Sequence, residues 1–210
     1  MKTFKIIVVG DACVGKTTFI KRHLTGKFEE KYMHTTGSNH HDFTFKTNEG
    51  LVTFEVWDCE SKGREIYEPG YDGAILMFSH SDMYSMYSVP EWKGCIANTV
   101  PVVLCGNKLD LASDPDPDSR TIFRNVNCNF CDISVKDNTD CDKPFLYLAR
   151  RLMKNKNLCF VEASPKSKTN LPKIRCSNKK ISWMRLPGKG AIKVTHKFYD
   201  EEEVMDVIDK

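Results

Sequence analysis

Along the first 160 residues the hydrophobic pattern switches repeatedly between strand and helix periods. Lys5-Ile-Ile-Val-Val9 is a short apolar run rich in β-branched residues and stopped by Gly10, as expected for a strand buried on both faces of a parallel sheet. Residues 17–24 follow with apolar positions at helical spacing. Phe43-Thr-Phe45 and Val52-Thr-Phe-Glu-Val-Trp57 alternate with period two around Thr47-Asn-Glu-Gly50, which predicts a hairpin. Residues 74–78 and 100–105 read as two more buried strands, with Pro101 tolerable only near a strand start. Residues 130–133 suit a shorter strand. Residues 145–153 suit a helix ending on Arg150 and Arg151, where cations meet the negative end of the helix dipole. Strand–helix alternation with one hairpin predicts an α/β domain around a mostly parallel sheet.

Asp114-Pro-Asp-Pro-Asp118 reads as a loop, and beyond Glu162 the pattern dissolves into Pro, Lys, Ser and Asn. Charge divides the chain at the same place. Residues 163–199 carry ten Lys or Arg and no acid, whereas residues 200–210 carry six acids against Lys210. The net charge of +3 over 210 residues is thus an average over a near-neutral body, a basic stretch and an acidic end. The expected organisation is a domain over 1–162 followed by a partly disordered tail over 163–210. No apolar run reaches the length of a spanning helix. The start of the chain lacks a signal-peptide layout, so its nine cysteines are expected to be reduced thiols of an intracellular protein.

The chemistry begins at the first strand–helix junction. Gly10-Asp11-Ala12-Cys13-Val14-Gly15-Lys16-Thr17 fits G-x-x-x-x-G-K-[ST], followed by Thr18 in the helix. Backbone N–H groups of such a loop surround phosphates, and the helix N-terminus adds its positive end. Lys16 is expected on the β- and γ-phosphates and the Thr17 hydroxyl on Mg²⁺. The base is selected at Asn107-Lys108-Leu-Asp110, after the fourth strand run. A carboxylate accepts from both guanine N1–H and the exocyclic amine, a donor pair that adenine lacks. The wrong base would leave that buried acceptor unpaired. Ser134-Val135-Lys136 would place a backbone N–H near the guanine oxygen, although the triplet by itself also fits an ordinary strand-to-helix turn.

These motifs, with Gly15-Lys-Thr-Thr-Phe-Ile-Lys-Arg-His-Leu-Thr-Gly26, Val102-Val-Leu-Cys-Gly-Asn-Lys108, Cys131-Asp-Ile-Ser134 and Lys143-Pro-Phe-Leu-Tyr-Leu-Ala-Arg150, resemble the Ras-superfamily GTPases, and among them most closely the Ran type. The resemblance covers residues 3–162. It implies the three-layer P-loop fold of that superfamily, with one antiparallel hairpin strand in the sheet, and a GTP/GDP-binding protein that uses Mg²⁺. Residue by residue, it implies that Phe28 packs on the guanine ring and Thr35 closes on Mg²⁺ and the γ-phosphate. It also implies that Asp58 reaches the metal through water. No lipidation is expected, since position 2 is lysine and the last cysteine is Cys176; Ran-type proteins likewise lack a lipid anchor. The resemblance further implies importin-β-type transport receptors and Ran-binding proteins as partners, a nuclear and cytoplasmic location, and a monomer.

Two departures bear on catalysis. Where the family continues its strand as Asp-Thr-Ala-Gly-Gln, this chain has Asp58-Cys59-Glu60-Ser61-Lys62. The backbone N–H of Ser61 can still contact the γ-phosphate. Lys62 cannot replace the glutamine, because an ammonium has no acceptor for a water proton. Ala12 and Cys13 also stand where the family carries glycines, and a Cβ at position 12 projects toward the γ-phosphate. Slow GTP hydrolysis is the expectation, with no catalytic residue assigned. The readings kept open are a slow Ran-type GTPase and a non-cycling binding module for transport receptors. A phosphate-binding kinase is disfavoured by the guanine reader.

Other signals are bland. Cys128-Asn-Phe-Cys131 is half of a zinc spacing without a second half, and His40-His41 suits a solvated strand start. Tyr84, Tyr87 and Trp92 read as one helix packing on the sheet rather than as a stacking platform, so nucleic acid is not the expected partner.

Overall fold

The computed structural model describes residues 1–29, 39–59, 70–112, 126 and 128–161, together with the backbone of 181–186 and 189–195. Strands β1 (Lys2–Val9), β2 (Asn39–Thr47), β3 (Gly50–Asp58), β4 (Gly73–Ser79), β5 (Val102–Asn107) and β6 (Asn129–Asp132) form one sheet in the order β2-β3-β1-β4-β5-β6. Within this sheet, among the described residues, only β2 and β3 pair antiparallel and the other neighbours are parallel. This is the mostly parallel α/β fold with one antiparallel hairpin strand.

The apolar run of β1 serves both faces of the sheet. Ile6 and Val8 point into one core, with Phe19 and Ile20 of α1 (Lys16–Thr25) and Phe145 and Leu148 of α4 (Lys143–Leu152). Ile7 and Val9 point into the other, with Met86 of α2 (Met83–Tyr87) and Trp92 of α3 (Val89–Cys95). Three layers follow, because a parallel strand buried on both sides needs helices on both sides. Phe19, Phe43, Phe45 and Phe54 gather around Phe145, with ring centroids 5.3–5.6 Å from it.

The segment after α4 returns to the hairpin. Phe160 stacks on Phe45 at 4.4 Å, and the Val161 N–H donates to the Lys46 carbonyl at 2.9 Å. By contact, residues Met1–Asn170 form one compact unit and Leu171–Lys210 another. In the second, β7 (Ile181–Leu186) and β8 (Lys189–Thr195) pair antiparallel, a hairpin that the sequence pattern did not predict.

Two elements differ from expectation in the first unit. β5 begins after Pro101 and runs on through Gly106 to Asn107, because β4 pairs with it out to Ser79 and β6 out to Asp132. The single helix expected near residue 90 is two, broken at Ser88 with Pro90 opening α3. Its aromatics also divide: Trp92 is buried, whereas Tyr84 and Tyr87 are exposed. The proline-rich loop at 114–118 lies outside the described residues.

Candidate functional site

The loop between β1 and α1 is pressed against the sheet, and its glycines record where. Gly10 has φ +139°, and a Cβ there would collide with the Met77 carbonyl oxygen of β4. Gly15 has φ +102°, and a Cβ there would run into the Asn107 side-chain amide. Both demands exclude other residues. Asn107 then ties the loop down: its Nδ2 donates to the Val14 carbonyl at 2.8 Å. Val14 is buried, while Ala12 and Cys13 expose their side chains and Cys13 adopts a left-handed φ of 62°.

Lys16, at the first position of α1, turns back over this loop. Its ammonium donates to the carbonyls of Gly10 and Asp11, each at 2.8 Å. Burial pushes its pKa below the ordinary lysine value, with the Asp58 and Asp11 carboxylates opposing the shift. A buried cation at a helix N-terminus is suited to an anionic ligand. Thr18 follows, half-buried in the first turn of α1. Asp11 accepts from the Trp92 indole N–H at 2.8 Å, a contact that the sequence reading missed by treating Trp92 as core alone. The available signal was the indole donor itself, which needs a partner when buried.

At the end of β3, Asp58 Oδ2 accepts from the Thr17 hydroxyl at 2.5 Å. Burial raises the carboxyl's pKa, and the Thr17 hydrogen bond and Lys16 oppose that. Oδ1 is buried with no hydrogen-bond partner among the described residues. Buried carboxylate oxygens are normally satisfied, and a hard divalent cation prefers such all-oxygen surroundings. Thr17 and Asp58 therefore fit a magnesium site. Thr35, Ser61 and Lys62 lie outside the described residues.

The segments expected to read the base lie at the ends of β5 and β6. Asn107 Oδ1 accepts from the Val135 N–H at 3.2 Å, so one side chain joins the phosphate loop to the second segment. Lys108 is left-handed with φ 61°. It turns the chain so that Asp110, an exposed residue whose side chain is largely covered, meets Ser134, whose hydroxyl donates to Asp110 Oδ1 at 2.7 Å. Lys136 Nζ lies 3.8 Å from the other oxygen. A carboxylate held on one side by a hydroxyl keeps acceptor capacity for a pair of ligand N–H groups. Phe28 is half-buried against the core around α1.

The remaining candidates lie apart from this chemistry. Cys131 approaches Cys105 on the adjacent strand, with Sγ atoms 3.4 Å apart, and burial pushes the Cys105 thiol well up. No group of three His, Cys, Asp or Glu suited to a metal occurs among the described residues. His40 stacks on Trp57 at 5.0 Å.

The structure thus brings together Asp11 to Thr18 with Asp58, and Asn107 to Asp110 with Ser134 to Lys136. The sequence model described as the Ras family matches residues 5–154, a span that contains all of these groups.

Proposed function

From a chain that belongs to the Ras family, and is therefore a small GTP-binding protein, we propose a Ran-type switch that holds GTP with Mg²⁺ and hydrolyses it slowly. Lys16 would hold the β- and γ-phosphates, and the loop N–H groups would enclose them. Asp110 would accept the guanine N1–H and amine, with Ser134 orienting it and Phe28 covering the ring. Mg²⁺, when bound, supplies charge neutralisation at the phosphates; Thr17 and Thr35, with Asp58 through water, would hold it.

One observation carries the slow step: Ala12 exposes its side chain on the phosphate loop, where an incoming arginine needs room. Lys62 at the glutamine position adds to this, since it cannot accept a proton from water. The loss is large in scale, because an arginine finger is worth roughly 10³–10⁵-fold in rate. Single-turnover hydrolysis, with and without the Ran-activating protein, tests the reading. Slow, unstimulated turnover is expected; rapid stimulated turnover would refute it.

The same replacements support a second reading, in which the chain occupies importin-β-type receptors without useful hydrolysis. Receptor capture in the GTP and GDP states separates the two. A switch binds in one state only, and equal capture in both favours the non-cycling module. Under either reading the protein would act in nucleus and cytoplasm as a monomer.

A further inference from the structure

Three strand ends meet beside the base-reading segments, and one side-chain pair there has no part in the chemistry above. His80 directly follows β4, and its backbone N–H donates to the Asn107 carbonyl at 2.8 Å. Its ring nitrogen Nε2 lies 2.6 Å from Asp132 Oδ1 at the end of β6. An ionised carboxylate only accepts, so Nε2 carries the proton and donates it. Strands β4 and β6 are not neighbours, because β5 runs between them. The pair therefore crosses over β5 at Gly106. A Cβ on Gly106 would collide with His80 Nε2 and lie 2.8 Å from the Phe78 ring and 2.9 Å from Asp132 Oδ1. The bridge closes only over a glycine.

What it bridges is the reader itself. Gly106 precedes Asn107, and Asp132 precedes Ile133 and Ser134. The Ile133 N–H donates to the Gly106 carbonyl at 2.8 Å, and the Leu109 N–H to the Ile133 carbonyl at 3.2 Å. Asp110 is oriented by the Ser134 hydroxyl, and Ser134 can aim it only if the ends of β5 and β6 keep their spacing. We propose that the His80–Asp132 bridge sets that spacing, which makes His80 a positioning residue for guanine discrimination. The proposal rests on Asp110 being the guanine reader.

The test is a comparison of affinities of the nucleotide-depleted full chain for GDP, IDP and ADP, with thermal melting recorded alongside. IDP lacks the exocyclic amine and so reports whether Asp110 is correctly aimed. His80→Val is expected to narrow the GDP-over-IDP preference by about tenfold, the scale of one misaligned hydrogen bond. His80→Gln, whose amide can still donate to Asp132, is expected to keep most of it. An unchanged preference in His80→Val, whatever its melting temperature, would overturn the proposal. Should that variant fail to fold, Asp132→Ala carries the same two outcomes. Equal wild-type affinity for GDP and ADP would overturn the guanine reading, and this inference with it.

Discussion

Asp58 is a residue whose environment suits a ligand better than it suits the fold. It is buried, one oxygen takes the Thr17 hydroxyl, and the other has no partner among the described residues. Its folded-state pKa lies above the ordinary 3.8. Between those two values the native state holds a proton that the unfolded chain has released, so stability without Mg²⁺ falls as pH rises through that window. Asp58→Asn should therefore melt above wild type at neutral pH without Mg²⁺ or nucleotide, by about 1–2 kcal/mol, the scale of one unsatisfied buried group. The advantage should close as pH is lowered toward 3.8, and the variant should lose the Mg²⁺ dependence of nucleotide affinity. Melting scans across pH, with titrations with and without Mg²⁺, check both. Asn107 is the opposite case, since both ends of its amide are used within the protein. Asn107→Ala should cost about 2–4 kcal/mol in stability, two buried hydrogen bonds with their partners stranded, and should speed nucleotide release. Denaturant unfolding and a displacement assay read these two effects.

At the scale of elements, the site depends on where strands stop and what their neighbours contribute. β5 runs two residues beyond the apolar run because β6 pairs with it as far as Gly106 and β4 as far as Asn107, and this delivers Asn107 to the phosphate loop. Helix α3 buries Trp92 and aims its indole N–H at Asp11. Trp92→Phe keeps most of the apolar contact and removes the donor. It should accelerate nucleotide release severalfold and cost about 1–3 kcal/mol, the penalty of a lost bond to a charged group, both read by dissociation kinetics and unfolding. Helix α4 contributes packing: Leu148 is fully buried, close behind Gly73. Leu148→Ala should cost about 2–5 kcal/mol in denaturant unfolding. The strand and helix runs that build this scaffold were legible because each is a contiguous apolar stretch with a clear period. The helix break at Ser88 was harder to see, because apolar spacing continues across it and only Pro90 marks the change.

For the whole molecule, charge and chemistry occupy different stretches. The family match ends at residue 154, the return to the hairpin ends at Val161, and the ten-cation stretch begins only after it. Nucleotide affinity should therefore be unchanged within about twofold, a few tenths of a kcal/mol, in a chain ending at Asn170. Fluorescent-GDP titration checks this, and a large loss would assign the basic stretch a role in binding. The amino-acid sequence alone determined the phosphate-loop motif, the Asn107-Lys-Leu-Asp110 motif and the departures at Ala12, Cys13 and Lys62, because each is a short run of residues that can be read without knowing what it meets. Only the tertiary structure decided that Trp92 holds Asp11 and that His80 reaches Asp132, pairs separated by 81 and 52 residues. The strand order β1-β4-β5-β6 brings those partners together, and hydrophobic spacing carries no information about which polar groups will meet across a sheet.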